Sequence, residues 1–275
     1  MIHDIDTNFV YLADKLKEFY PDTFFRLTKL FDEMGILWGE IPHTNDIWAR
    51  DFMPIQIEKE DFLLYRYYPD YLDNNNDRNY ITDARLCCEA LGIKYRVVDA
   101  LLDGGNVVGC GNKFLMTSKV EQTNDTSKLA ELKDALKHDT IIIPWHKISN
   151  DEPYGHSDGF IHWCGGNRVL MSNHRDTILS EATAIKEILQ NHGFVVTEIT
   201  FDGIVVQNKE LNWAYVNYLQ VANKIIMPAL GIPEDRIALA HIKNANPDCQ
   251  VRTFRMRDIV NAGGALHCIT WNIKK

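Results

Sequence analysis

The chain has 275 residues, 45% of them hydrophobic and 24% charged, and a formal net charge of −9. This is the composition of a globular protein whose length allows one large domain or two small ones. The acidic balance, with no Lys/Arg run beyond pairs, excludes a nucleic-acid binder, and no apolar stretch approaches the ~20 residues that a membrane-spanning helix needs. The opening residues Met1-Ile2-His3-Asp4-Ile5-Asp6 are polar and acidic, unlike a secretory signal. The cysteines, none of them in CxxC spacing, predict reduced thiols and a cytoplasmic location.

In chain order, Phe9, Leu12, Leu16 and Phe19, then Phe24, Leu27, Leu30 and Phe31, have helical spacing and predict two helices over residues 7–34. Pro21-Asp22 separates them, with Asp22 as the cap of the second and Gly35 as its end. Residues 36–41 read as a strand leading to a loop from Pro42 to Asp51. Strands are predicted at 52–57 and 62–68, a helix at 80–91 before Gly92, and a strand at 94–102. The order recurs with strands at 106–108 and 113–120, a helix at 127–136 and a strand at 140–145. It recurs again with strands at 159–163 and 168–172, a helix at 180–191 and a strand at 194–200. Strands at 213–219 and 224–228, a helix at 233–243, a strand at 251–254 and a final strand at 266–273 complete the chain. The unit is strand–strand–helix–strand, repeated about four to five times at roughly 50-residue spacing, the mark of a repeat or propeller architecture. No low-complexity linker interrupts it, so residues 1–275 read as one domain. A doubly wound α/β sheet would need stricter alternation of strands and helices.

Four polar segments fall just before a unit's first strand: Asn45 to Asp51, Asp103-Gly104-Gly105-Asn106, Gly155-His156-Ser157-Asp158-Gly159, and Gly263 to Cys268. In a closed ring of repeats, equivalent loops meet at one end and form one site. Asp51 and Asp158 suit a planar guanidinium, which a carboxylate grips through two parallel hydrogen bonds. Cys268 can attack an electrophilic carbon, and His156 can shuttle protons. Asp103 can orient the histidine and stabilise its cation. A bound cation and a protonated His156 would lower the thiol from its ordinary ~8.5, whereas the carboxylates raise it, so activation by the substrate is expected. Singly, each motif has a plain structural reading: a buried cysteine, an Arg50–Asp51 surface pair, a turn at Asp103, an Asx-type turn at His156–Asp158. Their equivalent placement in the repeat favours a shared site. The rival is a metal-dependent hydrolase. His156, Asp158, His162 and Cys164 share one parity and would line one face of a continuous strand. Alternate strand residues are ~6.6 Å apart, too far for all four to hold one ion at zinc's ~2.0–2.3 Å, so no metal is expected.

Trp48-x-Arg50-Asp51-x-x-Pro54, Asp103-Gly104-Gly105-Asn106, Gly155-His156-x-Asp158 and Gly263-Gly264-x-x-His267-Cys268-Ile269-Thr270 occur in this order over residues 45–272. The set resembles the four signatures of the agmatine deiminase and bacterial-type peptidylarginine deiminase family, within the guanidine-modifying (pentein) superfamily. Asn217-Tyr218 is similar to that family's Asn-Phe/Tyr segment. The resemblance implies a five-bladed α/β propeller of ββαβ repeats with pseudo-fivefold symmetry. It implies hydrolysis of a guanidino group to a ureido group with release of ammonia, through a covalent thiouronium and without a cofactor. Cys268 would be the nucleophile and His156 the acid and base. Asp103 would hold the histidine, and Asp51 and Asp158 would bind guanidinium. Trp48, Arg50 and Asn106 would be further substrate-binding positions.

Agmatine, converted to N-carbamoylputrescine in polyamine metabolism, is the first substrate implied. Peptidylarginine and free arginine are the alternatives, the latter with Arg50 as the cation for its α-carboxylate. The chain departs from the family at Met53, where Gly is usual, at Asp103, where Glu is usual, and at Trp271-Asn272, where a Gln-rich stretch is usual. Met53 and Trp271 are expected to form pocket walls. Beyond a small cationic guanidine no partner is implied, and a homo-oligomer is compatible with the sequence. A non-catalytic guanidine-binding protein would keep the carboxylates but have no need for Cys268 and His156 together.

Overall fold

The structure, a computed structural model, describes residues 2–73, 77–145 and 154–275. Among the described residues, the strands form five three-stranded sheets. β1 (Phe9–Ala13), α1 (Asp14–Phe19), α2 (Pro21–Met34) and β2 (Leu37–Ile41) belong to the first. A short helix α3 (Ala49–Phe52) leads to β3 (Ile55–Glu58), β4 (Asp61–Arg66), α4 (Ala84–Leu91) and β5 (Arg96–Leu101). The third comprises β6 (Val108–Cys110), β7 (Lys113–Thr117), α5 (Lys119–Thr123), α6 (Thr126–Leu136) and β8 (Asp139–Ile143). The fourth comprises β9 (Ile161–Trp163), β10 (Arg168–Met171), α7 (Leu179–Asn191) and β11 (Val195–Glu198). The fifth comprises β12 (Leu219–Val221), β13 (Lys224–Ala229), α8 (Glu234–Ala245) and β14 (Gln250–Arg255). Helix α9 (Arg257–Asn261) then leads to β15 (Thr270–Ile273), which pairs with β1.

Every sheet has the same internal order. Its entering strand runs antiparallel to the middle strand, and the middle strand runs parallel to the strand that follows the helix. Four ββαβ units therefore follow one another, and β15-β1-β2 is the same unit assembled from both ends of the chain. The local chemistry of α2 shows how a unit is built. Pro21 opens the helix at its first turn, where the fixed φ is tolerated, and Gly35 closes it in the left-handed region at φ 62°. Phe24, Leu27, Leu30, Phe31 and Met34 are buried in one apolar cluster with Ile225, Met227 and Ile242. Each such side chain contributes roughly 1.5–3 kcal/mol by leaving water. No helix among the described residues is long and apolar enough to cross a membrane.

Four expectations need correction. Residues 9–13 are a strand, so the first helix is confined to Asp14–Phe19. β1 is the middle strand of its sheet and Val10 to Ala13 are all buried, so alternation is lost and the apolar spacing imitates a helix. The cap of α2 is Tyr20, and Pro21 rather than Asp22 begins it. Residues 212–215 form a 3-10 turn, and the strand there starts only at Leu219. The last strand starts at Thr270, with Cys268 in the turn before it.

Candidate active site

The entering strand of each sheet is preceded by a short turn, and each of these turns brings a polar side chain to one place. α3 carries Asp51 ahead of β3. Asp103 precedes the 3-10 turn Gly104–Asn106 ahead of β6. His156 precedes, and Asp158 lies within, the 3-10 turn Ser157–Gly159 ahead of β9. Asn217 follows the 3-10 turn Asn212–Tyr215 ahead of β12, and Cys268 lies just ahead of β15.

Hydrogen bonds link neighbouring turns in succession. The Gly105 amide donates to Asp51 Oδ1 (3.0 Å), and His156 Nε2 lies 3.0 Å from Asp103 Oδ2. The Asn217 Nδ2 group donates to the Asp158 carbonyl (3.3 Å). Asn217 Oδ1 accepts from the Cys268 amide (3.3 Å) and lies 3.3 Å from Cys268 Sγ. The Arg50 amide donates to the Cys268 carbonyl (3.1 Å), joining the last turn to the first.

The glycines at 104 and 105 are dictated by this convergence. A Cβ at Gly104 would stand 2.0 Å from the Arg50 carbonyl oxygen, and one at Gly105 would stand 2.7 Å from both Asp51 Oδ1 and His156 Nδ1. Only a residue without a side chain lets the two turns come so close.

His156 sits between two carboxylates, with Nδ1 3.5 Å from Asp51 Oδ1 and Nε2 at Asp103. Burial pulls its pKa down, but the charge of Asp51 and the hydrogen bond to Asp103 outweigh burial and raise it to about 9. Burial raises Asp51 to about 7, the nearby Asp103 and Asp158 charges adding to the rise and the His156 charge opposing it. Asp103 is held below its ordinary value: burial opposes this, but the bond from His156 and the Lys119 ammonium prevail. Asp158 is likewise lowered against burial by its bond to His267, whose Nδ1 lies 2.7 Å away. Cys268 Sγ lies 3.8 Å from Asp158 Oδ2. Burial pushes its thiol well above the ordinary value, and the Asp158 and Asp51 charges push further. The arrangement is thus a protonated imidazole, a protonated thiol and carboxylates that can receive a planar cation.

The structure therefore brings Asp51, Asp103, His156, Asp158 and Cys268 into one linked cluster, as expected from their turns. It also supplies partners that the sequence did not single out. Lys119, at the start of α5, bridges Asp103 (3.2 Å) and Asp70 (3.1 Å) and donates to the Tyr154 carbonyl (2.9 Å). Tyr71 and Tyr154 stand 6.4 and 6.0 Å from the His156 ring and 4.8 Å from each other, an aromatic wall beside the imidazole. Asn217 and His267 were visible only as members of the family-like motifs. A lysine facing inward on a short helix leaves no pattern in sequence.

Three predicted substrate positions have other partners. Trp48 packs against the Gly264 backbone, where a Cβ would come within 2.1 Å of the indole. The Arg50 guanidinium donates to Asn272 Oδ1 and to the His267 carbonyl (3.4 Å). Asn106 accepts from the Thr117 amide (2.8 Å), fixing the end of β7. Met53 and Trp271 line a cavity of about 80 Å³ that Arg50, Asp158 and His267 also line, and the Trp271 indole donates to the Pro54 carbonyl (2.9 Å). The parity that aligned four metal-ligating residues also fails, because Ser157–Gly159 is a 3-10 turn and not strand. His162 stacks on Tyr218 with ring centroids 3.7 Å apart, and Cys164 Sγ lies 3.7 Å from the Tyr218 hydroxyl. Among the described residues no group of three or more His, Cys, Asp or Glu is disposed to hold a metal ion.

Comparison with known proteins matches residues 5–273 to the family described as Porphyromonas-type peptidyl-arginine deiminase. An agmatine deiminase of Stutzerimonas stutzeri (strain A1501) is 27% identical over 213 residues, covering 64% of this chain and 58% of that protein. A relative from Mycoplasma capricolum subsp. capricolum is 25% identical over 222 residues, covering 68% of this chain and 61% of the relative. The chain thus spans about three fifths of the length of these curated relatives. Among solved structures, C. jejuni agmatine deiminase shares the fold with a TM-score of 0.77 at 19% identity, covering 100% of this chain and 95% of that one. With the family match extending over residues 5–273 of this chain and the fold shared, the chain belongs to the agmatine deiminase and Porphyromonas-type peptidyl-arginine deiminase family of the pentein superfamily.

Proposed function

We propose that this chain hydrolyses a guanidinium group to a urea and releases ammonia, with Cys268 as nucleophile, His156 as acid and base, Asp103 as its orienting partner, and Asp51 and Asp158 as the guanidinium-binding carboxylates. The observation that carries the reading is the ring of turns that gathers a thiol, an imidazole flanked by two carboxylates and a third carboxylate. We read the five sheets as the blades of one closed, pseudo-fivefold propeller, a single domain. The pairing of β15 with β1 and the hydrogen bonds around the turns support this.

In the proposed reaction a guanidinium enters between Asp51 and Asp158, and its charge offsets the carboxylates that keep the thiol protonated. The Cys268 thiol then releases its proton to solvent, and the thiolate adds to the guanidinium carbon, forming a C–S bond as the C=N π pair moves onto nitrogen. His156 gives its proton to the departing nitrogen, the C–N bond breaks, and ammonia leaves behind a thiouronium on Cys268. The neutral His156 takes a proton from water, the hydroxide adds to the same carbon, and the C–S bond breaks as the added hydroxyl's proton passes to the departing sulfur, freeing the ureido product and the thiol. Asp103 keeps the imidazole oriented and its cation stable, while Lys119 keeps Asp103 ionised.

Agmatine is the substrate we favour, because the site is acidic and the Stutzerimonas and C. jejuni relatives are named for it. Free arginine is less favoured, since Arg50, its candidate α-carboxylate partner, is engaged with Asn272. The free thiols fit a reducing, cytoplasmic setting. The test is ammonia release from agmatine, free arginine and an arginine-containing peptide. Release from one of them, lost in Cys268→Ala, is the expected result, and no release from any would refute the reading.

A further inference from the structure

Behind Asp158 the hydrogen-bonded line continues away from the thiol. His267 Nδ1 lies 2.7 Å from Asp158 Oδ2, the same oxygen that stands 3.8 Å from Cys268 Sγ. The other ring nitrogen, Nε2, lies 3.3 Å from Asp4 Oδ2. Asp4 belongs to the 3-10 turn Asp4–Asp6, more than 250 residues from Cys268 in sequence, and it is firmly held. Its Oδ1 accepts from Asn272 Nδ2 (2.9 Å), and its carbonyl accepts from the Thr7 hydroxyl (2.7 Å) and the Ala222 amide (3.3 Å). His267 is buried, and the Asp4 side chain keeps 24% of its surface exposed.

Two carboxylates facing the two ring nitrogens set the state of the ring. A neutral imidazole has one donor and one acceptor nitrogen, so one carboxylate would face a lone pair. Only the imidazolium donates at both ends. The charged groups facing His267 are Asp158, Asp4 and the Arg50 guanidinium, with the His162 ring 6.4 Å away. Burial and Arg50 oppose the positive charge, and the two carboxylates prevail, raising His267 above its ordinary value. His162 is lowered by burial to about 4, so it adds no competing charge at neutral pH.

We propose that Asp4 and His267 are positioning residues for Asp158: Asp4 fixes the imidazolium of His267, and His267 holds Oδ2 of Asp158 so that the carboxylate meets a guanidinium ionised and in one orientation. The proposal rests on the deiminase reading above and assigns a role to two residues outside its chemistry. It makes the N-terminal turn part of the binding site although Asp4 touches neither the thiol nor His156.

The experiment uses Cys268→Ala protein, which cannot turn over, with agmatine binding followed by calorimetry at pH 6 and pH 8. Adding Asp4→Asn removes one of the two groups that keep His267 charged. At pH 8 agmatine binding should weaken about tenfold, within the usual range of site-to-site coupling. At pH 6, where solvent supplies the proton, the loss should be much smaller, and Asp4→Glu should restore binding at both. Equal weakening at both pH values would mean that Asp4 merely anchors the fold, and no weakening would mean that it plays no part. Either overturns the proposal. Histidine-labelled native protein gives a readout that needs no variant to fold: His267 must carry both ring protons at pH 8, and a neutral ring there is also fatal. If the Cys268→Ala parent itself binds no guanidine, the deiminase reading fails first, and that outcome is recognisable because the parent is silent.

Discussion

His156 Nε2 lies 3.0 Å from Asp103 Oδ2 in a place where both side chains are less than a tenth exposed, 9% and 7%. The other ring nitrogen faces Asp51. Burial opposes the charged ring, but the two carboxylates raise His156 from 6.5 to about 9. A raised base stabilises the fold fully below its unfolded value and loses that contribution as pH climbs through the folded one. The window here is therefore pH 6.5 to about 9. Asp51, raised to about 7, titrates jointly with the ring. The melting temperature of the native protein should fall more between pH 7 and 10 than that of His156→Asn. Ammonia release should decline over the same range as the leaving nitrogen loses its proton donor. Parallel melting curves for the two proteins would show that the ring is not held charged.

Lys119 and Asp103 form an ion pair in which each side chain is 7% exposed. Removing one member of a buried pair strands the other, at a cost of about 3–5 kcal/mol. Because His156 still bonds Asp103, Lys119→Met should lose at most that much in urea unfolding. Lys119→Met combined with Asp103→Asn should lose less than the sum of the two single changes, because the stranded carboxylate is gone. Strict additivity would mean that Asp70, also bonded to Lys119, is the partner that matters.

Gly105 lets Asp51 and His156 stand close together by having no side chain, since a Cβ would stand 2.7 Å from an atom of each. Gly105→Ala should therefore displace both groups, and a shift near 1 Å in a reacting group can lower turnover by about 10²-fold. Gly166→Ala is the control. Its Cβ meets nothing within 4 Å, and its φ of 58° makes the change a strain on backbone alone, costing about 1–2 kcal/mol. The control should lose stability and keep its rate of ammonia release, whereas Gly105→Ala should lose the rate.

The repeat was legible because each unit carries its own strand, helix and turn signals. The cluster was legible because four of its turns are dense in chemistry-bearing side chains, three of them beside glycine. What escaped has physical reasons. β1 is buried from Val10 to Ala13, so it has no polar face to give alternation. α9 has five residues, too few to show a period. Lys119 reads as an ordinary lysine, and only the fold turns it toward Asp103 and Asp70. Arg50 and Asn106 stand in motifs beside true members of the cluster, yet their side chains hold Asn272 and the Thr117 amide. Neighbours in sequence point in different directions, and sequence does not say which one joins the cluster.

Cys268 Sγ stands 3.8 Å from Asp158 Oδ2, and its thiol is pushed well above its ordinary value by burial first and then by the charges of Asp158 and Asp51. At neutral pH the unliganded protein should hold a protonated sulfur that reacts slowly with a neutral alkylating reagent such as iodoacetamide. The same carboxylate has two opposed effects: it disfavours the thiolate and favours the guanidinium. Asp158→Asn should therefore speed alkylation of Cys268 while weakening guanidine binding, by something on the order of 2–5 kcal/mol for losing one partner of a buried charge pair. In native protein a bound guanidinium should itself lower the thiol, so mass spectrometry of protein quenched during turnover should find a substrate-derived adduct on Cys268. Cys268→Ala should keep binding, which rests on the carboxylates, and lose ammonia release, which rests on the sulfur. An Asp158→Asn protein alkylated no faster than the native one would mean that this carboxylate does not hold the thiol protonated. Ammonia release that survives Cys268→Ala would remove the sulfur from the chemistry altogether.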